Sequence, residues 1–435
     1  MPNETPSRPS PQLRRMQWIA IVLVTAAIAL NYMDRSTLAI GNVRIRQEFG
    51  LSATAIGALG SAWALTYGFA QLPSGFLLDR TGPKLLVGIS MVVWSLFQAA
   101  GGLASSYGLL MLSRIGLGAT EAPCFPSATR SVSDWFHVKD RGTPSGVYTS
   151  GAYIGPTLAP PILTAVMLAY DWRVMFVVMG LAGVVAAVFW FLLYRDPRTQ
   201  TLLPQDEAYL RTNRAASSSV TIKQWSSLFR FRAMWALMLG AFCTGYITWM
   251  YQIWLPGYLE IQQHIGIAKT GFLASVPLLC AFFGAICGGW VSDRLVKRGM
   301  DNIEARRRPL ILGLIASALF TGLAALAGSA GTAIACIAVA MFFMQFGITC
   351  KWILVTVVTP QAYCASAASN QNFAGFLGGT LSPILTGFIV DTTGSFVVAL
   401  GIGALITLIG AALFQFMMTT VIDEVTLEKL AHSPA

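Results

Sequence analysis

Residues 75–84 read Gly-Phe-Leu-Leu-Asp79-Arg80-Thr-Gly82-Pro-Lys84, and residues 289–299 read Gly-Trp-Val-Ser-Asp293-Arg294-Leu-Val-Lys-Arg-Gly. Each stretch ends an apolar run long enough to cross a hydrocarbon layer of roughly 30 Å. An aspartate near a helix end, basic partners and a tight glycine turn make a latch between spans, which holds in one conformation and releases in another. A second correspondence joins Gly155-Pro-Thr-Leu-Ala-Pro160-Pro-Ile-Leu-Thr164 to Gly378-Gly-Thr-Leu-Ser-Pro383-Ile-Leu-Thr386. The offsets are similar, 214 and 223 residues, which argues for duplication of a half-length unit. A fold of repeated helical bundles is expected to place its substrate site at their interface, near the midplane.

Composition agrees with a membrane protein. The 435 residues are 55% hydrophobic and 11% charged, against about a quarter charged in a soluble protein of ordinary composition. The apolar runs are too long and too unbroken for barrel strands, which alternate polar and apolar over about ten residues. The expected fold class is all-α, with twelve spans near 17–40, 53–78, 84–104, 108–133, 144–168, 174–194, 233–258, 269–292, 309–328, 332–358, 364–390 and 396–420. They divide into an N-tail (1–16), a first six-helix bundle (17–194), a polar linker (195–232), a second bundle (233–420) and a C-tail (421–435). With the N-terminus cytoplasmic, 22 Lys and Arg fall in cytoplasmic segments and four, Arg44, Arg46, Arg173 and Lys269, on the other side. That asymmetry puts both ends inside and explains the net charge of +10 without a nucleic-acid partner. The first sixteen residues are mostly polar and show no cleavable signal. The seven cysteines lack a CxxC spacing and read as small buried apolar residues.

Five charges sit inside apolar stretches: Asp34, Arg35, Arg114, Glu121 and Lys351. A charge at mid-bilayer costs roughly 2.5–3.5 kcal/mol on insertion scales, so such residues mark function. Asp34, Arg35 and Arg114 lie five or six residues from the outer ends of their spans, roughly 9 Å in. Glu121, seven residues after Arg114, falls two turns deeper on the same face. Planar guanidinium forks suit a carboxylate. Adjacent Asp34 and Arg35 point about 100° apart, so Asp34 is expected to pair with Arg114 across the helices. Lys351 either snorkels toward the cytoplasm from about two turns inside its span or faces the cavity as a further cation. Asn370-Gln371-Asn372 is a polar triplet inside the eleventh span, and Tyr32 and Tyr67 are the cavity-lining aromatics favoured in the first half.

The loop Asp79-Arg80…Gly82…Lys84, its copy at Asp293-Arg294 and the twelve spans resemble the major facilitator superfamily. Within it the chain resembles the anion:cation symporter family over nearly its full length. The carrying residues are Asn31-Tyr32-Met33-Asp34-Arg35, Tyr67, Arg114-Ile-Gly-Leu-Gly-Ala-Thr-Glu121-Ala-Pro123 and Asn372. The resemblance implies substrate contacts from Arg35, Arg114, Tyr67 and Asn372 and proton carriage by Asp34 and Glu121. It implies sugar acids or other organic anions as cargo. Ala152 stands where sugar-acid members often have a glutamine, and with Lys351 this hints at a less hydroxylated or a dianionic substrate.

The expected function is proton-coupled import of a small organic anion, most simply a sugar acid, by alternating access in a bacterial inner membrane. The partners are that anion and the lipid bilayer, a monomer is the expected state, and protons take the place of any cofactor. The rivals are an exchanger or uniporter of dicarboxylates or aromatic acids, and a receptor that binds an anion without moving it. No nucleophile–base pair or metal spacing argues for an enzyme, and His137, His264 and His432 fall in loops or the tail.

Overall fold

The computed structural model describes residues 9–197, 199–211, 221–261, 267–393 and 395–427. Much of the linker run, including Ser217–Ser219, lies outside the described residues, as do His264, His432 and the ends of both tails. Among the described residues there is no strand. The first half holds α1 (Pro11–Phe49), α2 (Ala53–Thr81), α3 (Pro83–Gly102), α4 (Tyr107–Glu121), α5 (Cys124–Trp135), α6 (Gly142–Ala169) and α7 (Trp172–Leu193). Two short helices follow, α8 (Pro204–Arg211) and α9 (Ile222–Ser227). The second half holds α10 (Arg232–Ile261), α11 (Ile267–Lys297), α12 (Glu304–Ala325), α13 (Ala330–Val358), α14 (Cys364–Thr393) and α15 (Phe396–Met417).

Ten of these helices are long and apolar enough to cross a membrane. The remaining two of the twelve spans are α2, whose Ser61, Thr66, Gln71 and Ser74 dilute its apolar content, and the α4–α5 pair. The latter corrects the continuous span expected over 108–133: it breaks at Ala122-Pro123. Pro123 lacks the N–H that would bond the Ala119 carbonyl, and the Ala122 carbonyl, whose helical donor would be the N–H that Pro126 lacks, accepts from Gln71 Nε2 at 3.1 Å. Helix starts are set locally. Ser10, Ser52, Ser106, Asp171, Ser329 and Ser395 each accept an N–H of the first turn with their side chains.

Burial follows the logic of a protein in lipid. Phe69, Leu96, Leu181, Leu319 and Phe388 are exposed, while Gln98, Arg114, Glu121, Arg130, Arg306 and Lys351 are buried. A polar side chain turned inward and an apolar one turned outward is the arrangement hydrocarbon favours. The chain forms an integral, multi-pass membrane protein.

Two compact units emerge. The first comprises residues 1–137, 154–220 and 361–369; the second comprises 138–153, 221–360 and 370–435. Helices α6 and α14 thus each contribute to both. One end of the first unit is closed by an apolar cluster of Ile45, Leu59, Leu110, Leu163, Met175 and Phe176. Beside it Glu48 accepts from Trp172 Nε1 at 2.6 Å and pairs with Arg173 at 2.5 Å, tying the end of α1 to the start of α7.

Candidate functional site

In the first unit α1, α2 and α4 bring their polar residues together. Gly118 makes this possible: a Cβ there would lie 2.3 Å from the Trp63 carbonyl oxygen, so only a bare Cα lets α4 approach α2. Arg35 Nε lies 3.3 Å from Glu121 Oε2, and Trp63 Nε1 donates to the same oxygen at 3.0 Å. Arg35 Nη2 donates to Asn31 Oδ1 one turn back on α1. Three rings surround the guanidinium: Tyr32 at 4.3 Å, Trp63 at 4.5 Å and Tyr67 at 4.7 Å from its carbon. Trp63 and Tyr67 stack with centroids 5.3 Å apart. A cation held by aromatic faces and one carboxylate keeps its charge while losing its water.

Asp34 and Arg114 are both buried, and among the described residues they do not pair, contrary to the expectation from spacing. Arg114 Nη2 donates to Gln98 Oε1 at 3.2 Å and the guanidinium lies 4.7 Å from the Phe176 ring. Gln98 Nε2 donates to Thr37 Oγ1 at 3.0 Å, and Thr37 donates to the Asp34 carbonyl at 2.7 Å. Arg114 of α4 therefore reaches α1 through a buried glutamine of α3. Asp34 Oδ1, Glu121 Oε1 and Arg114 Nε are buried without a hydrogen-bond partner. Unsatisfied polar atoms clustered in one place are what a ligand or proton site leaves open.

In the second unit Lys351 does not snorkel. It is 6% exposed and its Nζ donates to Thr244 Oγ1 of α10 at 2.9 Å. On α14 Asn370 and Gln371 are fully buried, and both atoms of each amide lack a partner. Asn372, the member of the triplet favoured by the family resemblance, is half-buried.

The repeated loops form matching caps. Asp79 Oδ1 accepts from Ala365 N at 3.0 Å and Oδ2 from Ser366 N at 2.8 Å, at the start of α14. In the second unit Asp293 accepts from Gly142 N and Thr143 N at 2.7 Å each, at the start of α6. Each carboxylate thus satisfies free N–H groups at the positive end of a helix. Their basic partners are not the adjacent residues. Asp79 pairs with Arg130 of α5 at 2.8 Å, and Asp293 lies 3.8 Å from Arg306 of α12. Arg80 and Arg294 instead lie over Phe76 and Trp290. Lys84 contributes a backbone carbonyl, which accepts from Trp190 Nε1. Gly82 has φ of 78°, the turn that its sequence position called for.

Arg130, counted from sequence among the bases near a loop, is buried and also bonds Asp134 and the Gln361 carbonyl. Arg130 and Gln98 are thus residues that sequence reasoning missed. A basic residue in the last two turns before a loop and a lone amide in an apolar run were their visible signals.

A family model described as Major Facilitator Superfamily matches residues 24–363. A relative from Escherichia coli (strain K12), named "Probable L-galactonate transporter", is 42% identical, over 95% of this chain and 92% of that protein. One from Bacillus subtilis (strain 168), named "Probable galactarate/D-glucarate transporter GudP", is 30% identical over 98% of this chain and 97% of that protein. The crystal structure of the E. coli fucose:proton symporter FucP superposes with a TM-score of 0.73 at 16% identity, over 93% of this chain and 100% of that one, a likeness of fold. The family model spans most of the sequence and the relatives align along nearly all of it: the chain belongs to the Major Facilitator Superfamily, whose named relatives here are transporters and not enzymes.

Proposed function

We propose that this protein imports a sugar acid together with protons, from the outer to the cytoplasmic face of a bacterial inner membrane with both termini inside. The observation that carries the reading is the Arg35–Glu121 pair. Arg35 is a fork suited to a carboxylate, and its Nε already meets the Glu121 carboxylate at 3.3 Å. A substrate carboxylate and the Glu121 carboxylate compete for the same donors. A proton arriving at Glu121 Oε1, the oxygen without a partner, removes the charge that holds Arg35. The guanidinium then accepts the substrate carboxylate in its place. After the access change the substrate leaves, Glu121 gives up its proton and returns to Arg35. Neither species moves alone without leaving a buried charge unmatched, and that cost couples the fluxes.

Asp34, with its own unpartnered buried oxygen, is the second proton carrier in this reading. Tyr32 and Tyr67 wall the bound acid, and Arg114 sets the local potential. The caps at Asp79 and Asp293 hold one conformation and release in the other. The names of the relatives, transporters of galactonate and of galactarate or glucarate, support sugar acids as the class. The test is uptake of galactonate into proteoliposomes. Concentrative uptake should follow an inward proton gradient and collapse with a protonophore. Uptake indifferent to both would favour exchange or uniport.

A further inference from the structure

Gln98 of α3 uses both ends of its amide, and the chemistry of its neighbours fixes which end goes where. A guanidinium only donates, so the atom 3.2 Å from Arg114 Nη2 is the carbonyl oxygen, Oε1. The Thr37 hydroxyl gives its own proton to the Asp34 carbonyl at 2.7 Å, so toward Gln98 it accepts, and Nε2 donates to it at 3.0 Å. Gln98 and Thr37 are completely buried, and Asp34 and Arg114 nearly so. A buried amide bonded at both ends has one orientation.

α3 is also shaped around the guanidinium. Gly101 lies three residues after Gln98, and a Cβ there would stand 3.3 Å from Arg114 Nη2 and 2.9 Å from Phe176 Cδ1. Arg114 thus rests in a berth made by α3 and by the Phe176 ring of α7. Asp34 Oδ1 and Arg114 Nε meanwhile lack a partner among the described residues. The charges acting on Asp34 are Glu121 and Arg114 of α4 and Arg35 of its own helix. The other helices around it add none at this level. Tyr67 of α2 and Cys124 of α5 face Arg35, Arg173 of α7 is bound to Glu48 at the outer end, and α6 carries no titratable residue over 154–169.

We infer that Gln98 is a positioning residue for proton carriage: it holds Arg114 away from Asp34, so that the Asp34 carboxyl stays free to bind and release a proton. The inference rests on the reading of Asp34 as the second proton carrier. An arginine in direct contact favours the ionised carboxylate and lowers its proton affinity by about 1–3 pH units. An aspartate locked in that way keeps its charge through the cycle and carries nothing. Gln98 gives the guanidinium another acceptor without adding a charge, and Thr37 keeps that acceptor aimed.

The test follows the stretch of protonated carboxyl groups in infrared difference spectra of the purified full-length protein as pH is varied. The Asp34 band is the one that Asp34→Asn removes from the same background. Gln98→Leu keeps the bulk and removes the acceptor, so Arg114 should turn to Asp34 and the midpoint of the band should fall by about one pH unit or more. Gln98→Glu keeps an acceptor for Arg114, and its midpoint should not fall. A merely structural role would lower the melting temperature or the uptake rate and leave the midpoint in place. A midpoint unmoved in Gln98→Leu, or lowered as far in Gln98→Glu, overturns the assignment. Gln98→Met serves if Gln98→Leu does not fold. If neither folds, Thr37→Val, which frees the Nε2 end of the amide, should lower the midpoint, and an unmoved one overturns the assignment. Proton-driven galactonate uptake by the wild type with an unmoved midpoint defeats the role of Gln98 alone. A wild type without an Asp34 band that titrates, or without proton-driven uptake, defeats the proton-carrier reading and this inference with it.

Discussion

The two oxygens of Glu121 are in different situations: Oε2 receives Trp63 and Arg35, and Oε1 receives nothing. Glu121→Gln keeps an acceptor for Trp63 but cannot ionise, so it should abolish proton-driven accumulation while preserving counterflow exchange. Uptake by the wild type should fall as external pH rises, because release of Arg35 requires the protonated acid, and the glutamine variant should lose that dependence. Trp63→Phe keeps the ring over Arg35 and removes the N–H that favours the ionised carboxylate. A hydrogen bond to a charged group is worth about 1.5–3 kcal/mol, so half-maximal uptake should move to higher pH by about one unit. A pH profile that does not move would deny Trp63 this role. The five charges were legible in sequence because each interrupts an apolar run. The partner of each was not. Spacing along one helix pointed to Asp34 with Arg114, whereas the neighbours that α2 and α3 supply, Trp63 and Gln98, redirect the pairing.

At the scale of helices, the α2–α4 contact depends on Gly118 and the turn after α4 on Pro123. Gly118→Ala would set a methyl against backbone atoms of Trp63, which have little room to yield. Overpacking of this kind costs about 1–3 kcal/mol. The variant should therefore lower the melting temperature and the uptake rate together, while Gly108→Ala, where the nearest atom is 4.0 Å away, should change neither. Equal behaviour of the two would show that the helices are not held at this point. Helix positions were readable from length and hydropathy. The break between α4 and α5 was read as one continuous span because a proline alone kinks many membrane helices without ending them.

For the whole molecule, duplication is carried into three dimensions as two carboxylate caps, Asp79 on α14 and Asp293 on α6. Asp79→Asn removes the charge and one acceptor from the start of α14. Cys364, the buried first residue of that helix, should then react faster with a thiol reagent when it is the sole cysteine. A loss of about 1.4 kcal/mol corresponds to a tenfold faster labelling. An unchanged rate would mean that the cap does not gate this helix end.

The sequence by itself determined the membrane environment, the helical class, the internal repeat, the buried charges and the family, since all of these depend on composition and order along the chain. Tertiary structure decided that Arg35 holds Glu121, that Arg130 and not Arg80 answers Asp79, that Lys351 turns inward, and which segments each unit claims. The reason is rotational. A helix that is apolar on nearly every side gives no stripe from which to read its facing, and each residue turns the side chain by about 100°. Which polar groups meet is fixed only when the neighbouring helices are in place.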